Sequence, residues 1–498
     1  MIMHLANRDA FSGGRSLSTN LTVAGALIIL LVLTGGGWTG SDVSFLIYPY
    51  CLLAVSVCLW ALWSWRCNIG PLFNPYIIFF IMAWLFNAGQ SLLEVLDQNP
   101  DGLLKGRISP SILVSTLQLV ILGLVSLQVG ALVSSLGTNR APSTTTGHAL
   151  AEVDVHIGES EPHVNALRLV GYALLAVSVI PTIMLLQGSI SVVKSSGYTG
   201  LYGRNEATGF GAGPAVLASF FPTSVICLML ASKGRGVSFI VSLVGILLYS
   251  AITFFLGHRA YAAMPLIAYM WAYHQSVRRL PLTAICACTA FFLFVVFPLV
   301  RVIRDETGRN FFSPSELYDA YASIDNPVID IVAEIGGSMV TVAYTLELVP
   351  SRRPFDMGEG YVYALLTLMP NLFWDLHPSI ARMDAATWLV WEVDPSIASQ
   401  GGGLGYSFIA EAYLNFGWTG TPVVLFLIGY GLGKLTSWTC NSDSLSRVAL
   451  TACMLLSFSK FPRGESDSVF RPLLWYSFLP YIAVLLLARV NTQRRQRK

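Results

Sequence analysis

Charged residues are scarce in this sequence: Asp, Glu, Lys and Arg together make up 12% of its 498 residues. Soluble domains carry about 25%, and a chain that is 54% hydrophobic has too few polar groups to cover a soluble surface. The same scarcity excludes a disordered chain and a nucleic-acid-binding surface. The composition therefore predicts an all-α, polytopic integral membrane protein.

Patterns that bind metals or nucleotides are also missing. The eight cysteines include no CxxC pair, which argues against a zinc site or a redox motif. His148, His156 and His163 lie in an acidic stretch rich in Gly, Ser and Thr, which offers no rigid ligand geometry. The glycines of 209–213 follow no strand and do not match a nucleotide fingerprint. We therefore expect no metal and no other cofactor.

Long apolar runs are what the sequence does contain. A helix needs roughly 20 apolar residues to cross about 30 Å of hydrocarbon, and this criterion predicts about 12 transmembrane helices. Two of the runs, 261–275 and 448–460, are short and are interpreted as tilted or broken helices. The runs are 21–38, 43–65, 75–96, 108–136, 166–187, 213–232, 237–256, 261–275, 282–300, 418–438, 448–460 and 472–490.

The distribution of Lys and Arg predicts the orientation of these helices. With both termini in the cytoplasm, most of the basic turns and the basic tail 494–498 lie inside. Residues 1–300 are then an N-terminal transmembrane region of about nine helices, with a cytoplasmic linker at 137–165. Residues 301–417 are a large outer loop, and residues 418–498 are a C-terminal transmembrane region with a basic cytoplasmic tail.

The large outer loop is predicted to be folded, because it contains three Trp and many Tyr and Phe residues. Its apolar spacing indicates short amphipathic helices. The segment 331–349 includes Glu334 and Glu347, and we interpret it as a helix that lies on the membrane surface or re-enters it. The glycine-rich segment 399–405 precedes a further helix that begins near residue 406.

Arg259 is the first candidate site residue, because a charge close to the bilayer is costly and is usually functional. It lies between two apolar runs with almost no loop, so its cation is held in place and suits a phosphate group at the level of the lipid headgroups. The alternative is an arginine that simply extends to the interface. Because an outer arginine departs from the positive-inside trend, we expect Arg259 to have a partner.

Further cations and aromatic residues lie on the same side. Tyr198, Tyr202 and Arg204 alternate with glycines in a pattern that suits sugar and phosphate binding, although an ordinary polar loop is the simpler alternative. Arg301, Arg304 and Arg309 follow the ninth apolar run, and we expect one of these arginines to face a cavity. Their spacing to nearby acidic residues also fits a solvated helical face.

Acidic residues and a histidine supply the remaining polar chemistry. Asp375 and His377 would place a base near a sugar hydroxyl. Glu411 would do the same or would hold an arginine in place, although a lone acid on an amphipathic helix is more often structural. The turn 461–471, which contains Arg463, predicts an ion-paired cluster at the rim of a site or a loop that neutralises itself.

Five short motifs occur in a fixed order between residues 188 and 471. They are FLGHR at 255–259, GEGY at 358–361, PNLFW at 370–374, GLGYSFIAEAYLNFG at 403–417 and an Arg-Gly turn at 463–464. This pattern resembles the bacterial Wzy-type O-antigen polymerases, also called oligosaccharide repeat-unit polymerases. The segment around Glu411 is the most specific part of the resemblance.

The resemblance implies a GT-C-like membrane glycosyltransferase of the bacterial inner membrane. Such enzymes act at the periplasmic face and transfer a growing glycan from undecaprenyl diphosphate to the terminal sugar of an incoming lipid-linked repeat unit. The implied partners are this undecaprenyl-diphosphate-linked oligosaccharide, membrane lipids, a flippase and a chain-length regulator, with no nucleic acid. The outer side of the chain is then the periplasm, and the large outer loop is a periplasmic loop.

The resemblance also implies roles for the candidate residues. Family polymerases use arginines of their outer loops, although the spacing of glycines after Arg204 departs from the family pattern. A cationic cradle suits a diphosphate leaving group, and a sugar hydroxyl needs at most one base, so we expect no metal in the reaction. The expected set is Arg204, Arg259, Arg463, Arg301 and Arg304 for the diphosphate, Tyr198, Tyr202, Trp374 and Tyr413 for the sugars, and Glu411, then His377 or Asp375, for the base.

Three alternative functions stay open at this point. An O-antigen ligase has a similar architecture and differs in its acceptor. A transporter of lipid-linked oligosaccharide or of a small solute should carry charges near the middle of the membrane and repeated halves, whereas here the charges lie at one face. A membrane scaffold is disfavoured by the cost of placing so many arginines at an outer face.

Overall fold

A computed structural model describes residues 2–35, 37, 41–99, 102–136, 161–201, 213–300, 318, 322, 326–369 and 378–496 of the chain. Every regular element among these residues is a helix, as the composition predicts. Eleven helical stretches in the described part of the chain are long and apolar enough to cross a membrane. The protein is therefore an all-α polytopic membrane protein.

The first 300 residues form the larger set of long helices. The helix α10 continues as a π-helical turn, Phe292–Val296, and α6 and α7 together make one candidate span, Gly213–Ser232. The helices are α1 (Ile2–Thr34), α2 (Ile47–Asn68), α3 (Pro75–Val95), α4 (Pro110–Ser134), α5 (Glu161–Ser196), α6 (Gly213–Ala218), α7 (Phe221–Ser232), α8 (Gly236–Phe255), α9 (Arg259–Ser276) and α10 (Leu282–Phe291).

The remaining helices include short ones in the large loop, as the sequence predicts. A 3-10 turn, Gly336–Ser338, joins α11 to α12, and a π-helical turn, Leu474–Phe478, joins α19 to α20. The helices are α11 (Pro327–Ile335), α12 (Met339–Leu348), α13 (Glu359–Leu366), α14 (Pro378–Arg382), α15 (Ala385–Val393), α16 (Pro395–Ser399), α17 (Phe408–Cys440), α18 (Leu445–Phe458), α19 (Asp467–Leu473) and α20 (Leu479–Gln496).

The candidate membrane spans of the structure differ from the predicted set at three segments. The predicted runs 261–275 and 448–460 are α9 and α18, of 18 and 14 residues, and neither is a candidate span in the structure. The loop segment Pro327–Leu348, which we expected to lie on the surface or to re-enter, is itself long and apolar enough to cross. The sequence criterion discounted this segment because it contains Glu334 and Glu347, and in the structure the charge of Glu334 is paired with Arg259.

Polar caps begin the helices that position the site. Asn74 precedes α3, and its side chain accepts a hydrogen bond from the N–H of Ile77 at 3.1 Å. Ser407 precedes α17, and its hydroxyl accepts a hydrogen bond from the N–H of Ile409 at 3.1 Å. Gly417 breaks α17 with φ 62° and ψ −159°, a conformation that favours glycine. The predicted start of the C-terminal region, residue 418, falls at this break.

The backbones of α4 and α17 lie very close together. A Cβ atom added to Gly429 would be 1.9 Å from the carbonyl oxygen of Leu127, and one added to Gly130 would be 2.0 Å from that of Phe426. A Cβ atom added to Gly433, one turn after Gly429, would be 2.2 Å from the hydroxyl oxygen of Ser134 and 3.0 Å from the carbonyl oxygen of Ala131 on α4. Small residues at this spacing let membrane helices pack closely, so these glycines set the distance between the two helices.

We expect Gly429→Ala to lower the free energy of unfolding by about 2 kcal/mol, because the added methyl group must displace the backbone of α4. Thermal unfolding of the purified protein measures the effect. Gly431→Ala is the matched control, since a Cβ atom there meets nothing within 4 Å. Equal unfolding temperatures for the two variants would contradict the prediction.

The two ends of the helix bundle differ in the residues and helix ends that lie there. At one end, Arg495 of α20 and Glu161 of α5 form an exposed ion pair at 2.7 Å. At the other end, α3, α8 and α18 finish, α9 and α17 begin, and the helices of the large loop pack against them. We call this second end the site end, because Arg259, Glu411 and Arg463 all lie there.

Candidate functional site

The turn between α18 and α19, residues 459–466, is where the elements of the site end meet, and we call it the site turn. It carries Arg463, whose guanidinium carbon lies 5.9 Å from the ring centre of Phe86 on α3. Arg463 also lies against Gly405, where an added Cβ atom would be 2.7 Å from Nε. The glycine-rich segment before α17 therefore makes room for the arginine.

The end of α3 links the site turn to α17 and to the large loop. Asn87 donates a hydrogen bond to the carbonyl oxygen of Pro462 at 3.1 Å and accepts one from the Ser407 hydroxyl at 2.5 Å. Close by on the same helix, Gln90 donates to the carbonyl oxygen of Ala333 at 2.9 Å. These buried polar contacts fix the positions of three segments that are far apart in the sequence.

Glu411, the predicted base, is 3% exposed and faces the site turn. The N–H of Ser466 lies 3.1 Å from each carboxylate oxygen, and the Ser466 hydroxyl donates to Oε1 at 2.5 Å. Glu411 lies in the first turn of α17, where a negative charge is favourable. Its carboxylate therefore binds the end of the site turn to α17.

Glu465 joins the site turn to α15. Its oxygens accept hydrogen bonds from the N–H groups of Ala385 at 3.0 Å and Ala386 at 3.2 Å, which belong to the first turn of that helix and would otherwise be unsatisfied. Burial raises the pKa of Glu465 well above its usual range, and the charges of Asp467 and Asp384 act in the same direction.

Asp384, Glu465 and Asp467 have carboxylate oxygens within 4.8 Å of one another, a spacing at which they could hold a metal ion. In this structure two of the three acids cap α15. Asp384 precedes the helix and accepts a hydrogen bond from the N–H of Thr387 at 2.6 Å, while Glu465 accepts the two bonds described above. Helix capping therefore accounts for the positions of Asp384 and Glu465.

Asp356 forms ion pairs with two arginines of the large loop next to α17. Arg353 and Arg382 each place Nη2 near its Oδ2 atom, at 2.9 Å and 2.5 Å. The N–H of Gly358 donates to Oδ1 of Asn415 at 3.1 Å, one turn after Glu411. The start of α13 is thus held over Glu411, and the two arginines share one carboxylate.

A small polar cavity remains between these groups. Its volume is about 20 Å³, and its walls include Glu411, Glu465, Asp467 and Arg382. A cavity of this size has room for about one water molecule. In this arrangement a sugar hydroxyl reaches Glu411 only if the covering loop helices move.

A larger apolar groove of about 520 Å³ lies between α17, α18 and α19. Leu427 on its wall is 60% exposed, so the groove opens on the outside of the helix bundle. At the site end its walls are formed by Phe461 and Ser466 of the site turn and by Tyr361. The groove therefore runs from the apolar face of the bundle to the residues that hold Glu411.

Arg259 begins α9 and has the partner that the sequence predicts. Its Nη1 atom donates a hydrogen bond to Oε2 of Glu334 on α11 at 2.8 Å, across 75 residues of sequence. The Arg259 side chain is only 13% exposed. Its Nε and Nη2 atoms are buried and have no hydrogen-bond partner among the described residues.

Two tyrosines near Glu411 are packed into the protein. Tyr413, a predicted sugar contact, is 5% exposed and meets Phe355 and Trp418 edge to face, with ring centres 5.7 Å and 6.0 Å away. Tyr361 stacks on Phe416 with ring centres 6.1 Å apart. Burial raises the pKa of Tyr361 well above its usual range. Tyr413 offers no free ring face to a sugar unless these neighbours move.

The structure brings some of the predicted site residues together and separates others. Glu411 and Arg463 meet at the site turn, whereas Arg259 lies at the contact of α9 with α11. Tyr198 begins the 3-10 turn Tyr198–Leu201, and its side chain is not described. The predicted residues outside the described part of the chain are Tyr202, Arg204, Arg301, Arg304, Trp374, Asp375 and His377.

Several residues of the site were not among the predicted ones, including Glu334, Asp356, Arg382 and Ser466. For Glu334 the sequence held a signal, since an acid inside an apolar segment of the outer loop needs a cation. Ser466 gave no signal of its own, because its partner Glu411 is 55 residues away.

Comparison with known proteins gives one family. The family model described as O-antigen polysaccharide polymerase Wzy matches residues 21–495, which is nearly the whole chain. Neither a curated protein nor a solved structure matches the chain.

Proposed function

The chain belongs to the O-antigen polysaccharide polymerase Wzy family, and on that premise we propose that it joins undecaprenyl-diphosphate-linked repeat units into O-antigen or a related surface polysaccharide. The site end faces the periplasm of the bacterial inner membrane, and both termini lie in the cytoplasm. The positions of Lys and Arg along the chain support this orientation.

The observation that carries the proposal is the apolar groove between α17, α18 and α19. It opens on the side of the bundle that lipid covers and ends at the site turn, next to Arg463 in the sequence. A groove of this kind suits a long isoprenoid chain whose charged end must lie at the membrane surface. A soluble sugar donor would need no such groove.

The proposed reaction is a transfer of the growing glycan. The hydroxyl oxygen of the terminal sugar of an incoming repeat unit attacks the anomeric carbon of the growing glycan. The bond from that carbon to the diphosphate oxygen breaks, and its electron pair leaves with the diphosphate. The hydroxyl proton passes to a base.

Cations at the site end supply most of the help that this reaction needs, because a diphosphate is already a good leaving group. We assign Arg259 and Arg463 to the diphosphate, with Arg204, Arg301 and Arg304 as further predicted contacts. Tyr198, Tyr202 and Trp374 stay predicted sugar contacts. A flippase and a chain-length regulator are the proposed protein partners.

Glu411 has two proposed roles, and its contacts favour one of them. Three hydrogen bonds from Ser466 engage its carboxylate, which supports a role in holding the site turn and therefore Arg463 in place. The predicted role as base requires the carboxylate to release Ser466 and to become reachable. Asp375 and His377 stay predicted alternatives for the base.

Deletion of the gene and complementation with the wild-type gene test the proposed function. We expect the deletion strain to make lipopolysaccharide with core plus one repeat unit, because the ligase still transfers single units. The ladder of long chains on a gel should return on complementation. If the deletion strain makes bare core, the protein is the ligase and not the polymerase. An unchanged ladder would contradict both functions.

A further inference from the structure

Lys460 is a second cation of the site turn, in addition to Arg463. Its Nζ atom lies 3.7 Å from the centre of the Tyr261 ring on α9. The side chain is half-buried and forms no ion pair with any residue in the described ranges. A ring face holds an ammonium group in place without neutralising it, so the positive charge of Lys460 stays available.

Two nitrogens of Arg259, the first residue of the same helix, lack a hydrogen-bond acceptor. Glu334 engages Nη1, whereas Nε and Nη2 are buried without an acceptor in the described part of the chain. These two nitrogens form one edge of the planar guanidinium, which is the edge that binds two oxygens of a phosphate group side by side. Buried donors are seldom left unsatisfied in native proteins, so this edge points to a missing acceptor.

Among the described residues, the Arg259–Glu334 pair and the Lys460–Tyr261 contact place two cations and one paired carboxylate near the start of α9. Arg259 and Tyr261 both lie in the first turn of α9, so the Lys460 ammonium is close to the N-terminal end of that helix. Glu334 is the carboxylate paired with Arg259, and the helix end adds a partial positive charge. Arg353 and Arg382, by contrast, share Asp356, and Arg382 also lies 3.9 Å from Glu359.

We propose that Lys460 and the unsatisfied edge of Arg259 together bind the diphosphate group of a lipid-linked glycan at the start of α9. The Arg259 edge is buried, so the groups that cover it move when the diphosphate binds. The identity of the ligand rests on the proposed function, whereas the assignment of Lys460 rests on the structure. Arg259 donates hydrogen bonds to two oxygens of one phosphate, and the Lys460 ammonium supplies a positive charge next to the diphosphate. The phosphate of a membrane phospholipid has the same chemistry, so the experiment must separate the two sources.

Binding of undecaprenyl diphosphate to the full chain in phosphatidylcholine nanodiscs tests the proposal. Lys460→Met removes the charge and keeps an unbranched stem, and we expect it to raise Kd about tenfold. Lys460→Arg keeps the charge and should stay within about threefold of the wild type. Lys434→Met is the matched control, because Lys434 lies 5.4 Å from the Tyr430 ring near the opposite end of α17, and its Kd should not change.

An unchanged Kd for Lys460→Met would overturn the proposal. Competition by phosphatidylglycerol at the same concentration would also overturn it, because the site would then bind any phosphate headgroup. If Lys460→Met does not fold, Tyr261→Leu removes the ring that holds the ammonium and should raise Kd about threefold; no change in that variant would likewise overturn the assignment. A wild-type protein that neither binds the probe nor polymerises repeat units would instead contradict the proposed function.

Discussion

Arg259→Ala is expected to lower the rate of polymerisation by about 100-fold, since loss of one well-placed donor to a developing negative charge costs about this much. The effect should appear in an assay of the purified protein with lipid-linked repeat units and no nucleotide, read as polymer length over time. Arg495→Ala is the control, because Arg495 also forms an ion pair but lies exposed at the opposite end of the bundle. Surface pairs contribute little, so that variant should keep its activity.

A charge swap separates the two reasons why Arg259 would matter. If the pair with Glu334 only ties α9 to α11, the double variant Arg259→Glu with Glu334→Arg restores the pair and the activity. If Arg259 binds the diphosphate, the swapped protein folds and stays inactive, which is the result we expect. Recovery of full activity would remove Arg259 from the substrate site.

Glu411→Ala is expected to abolish polymerisation and to lower the free energy of unfolding by about 3 kcal/mol. The substitution leaves the N–H and the hydroxyl of Ser466 buried without an acceptor, and each such loss costs about 1–3 kcal/mol. The site turn then loses its attachment to α17, and Arg463 moves with it. Thermal unfolding in detergent and the polymerisation assay measure the two effects.

Glu411→Gln distinguishes a positioning residue from a base. The amide oxygen of Gln still accepts a hydrogen bond from Ser466, so a positioning role predicts partial recovery of both stability and polymer. A Gln variant that unfolds at the wild-type temperature yet makes no polymer would support the predicted base. Activity in both variants equal to that of the wild type would contradict both roles.

The sequence by itself determined that this is a helical membrane protein. The low share of charged residues and the long apolar runs are local properties, and the bilayer allows few backbone structures to satisfy them. The same reasoning indicated that Arg259 needs a partner, because an isolated outer arginine is costly. It counted Glu334 and Glu347 against a membrane span in Pro327–Leu348, whereas the structure pairs the Glu334 charge with an arginine of another helix, and the segment is long and apolar enough to cross.

Only the tertiary structure decided which groups face one another. Glu334 reaches Arg259 across 75 residues, and Ser466 reaches Glu411 across 55. Neither pairing leaves a periodic pattern, because a side-chain hydrogen bond between helices depends on their relative position and rotation. That position is set by close contacts such as Gly429 against α4, which the sequence shows only as small residues in an apolar run. Composition thus fixed the class of protein, and packing between distant segments fixed the site.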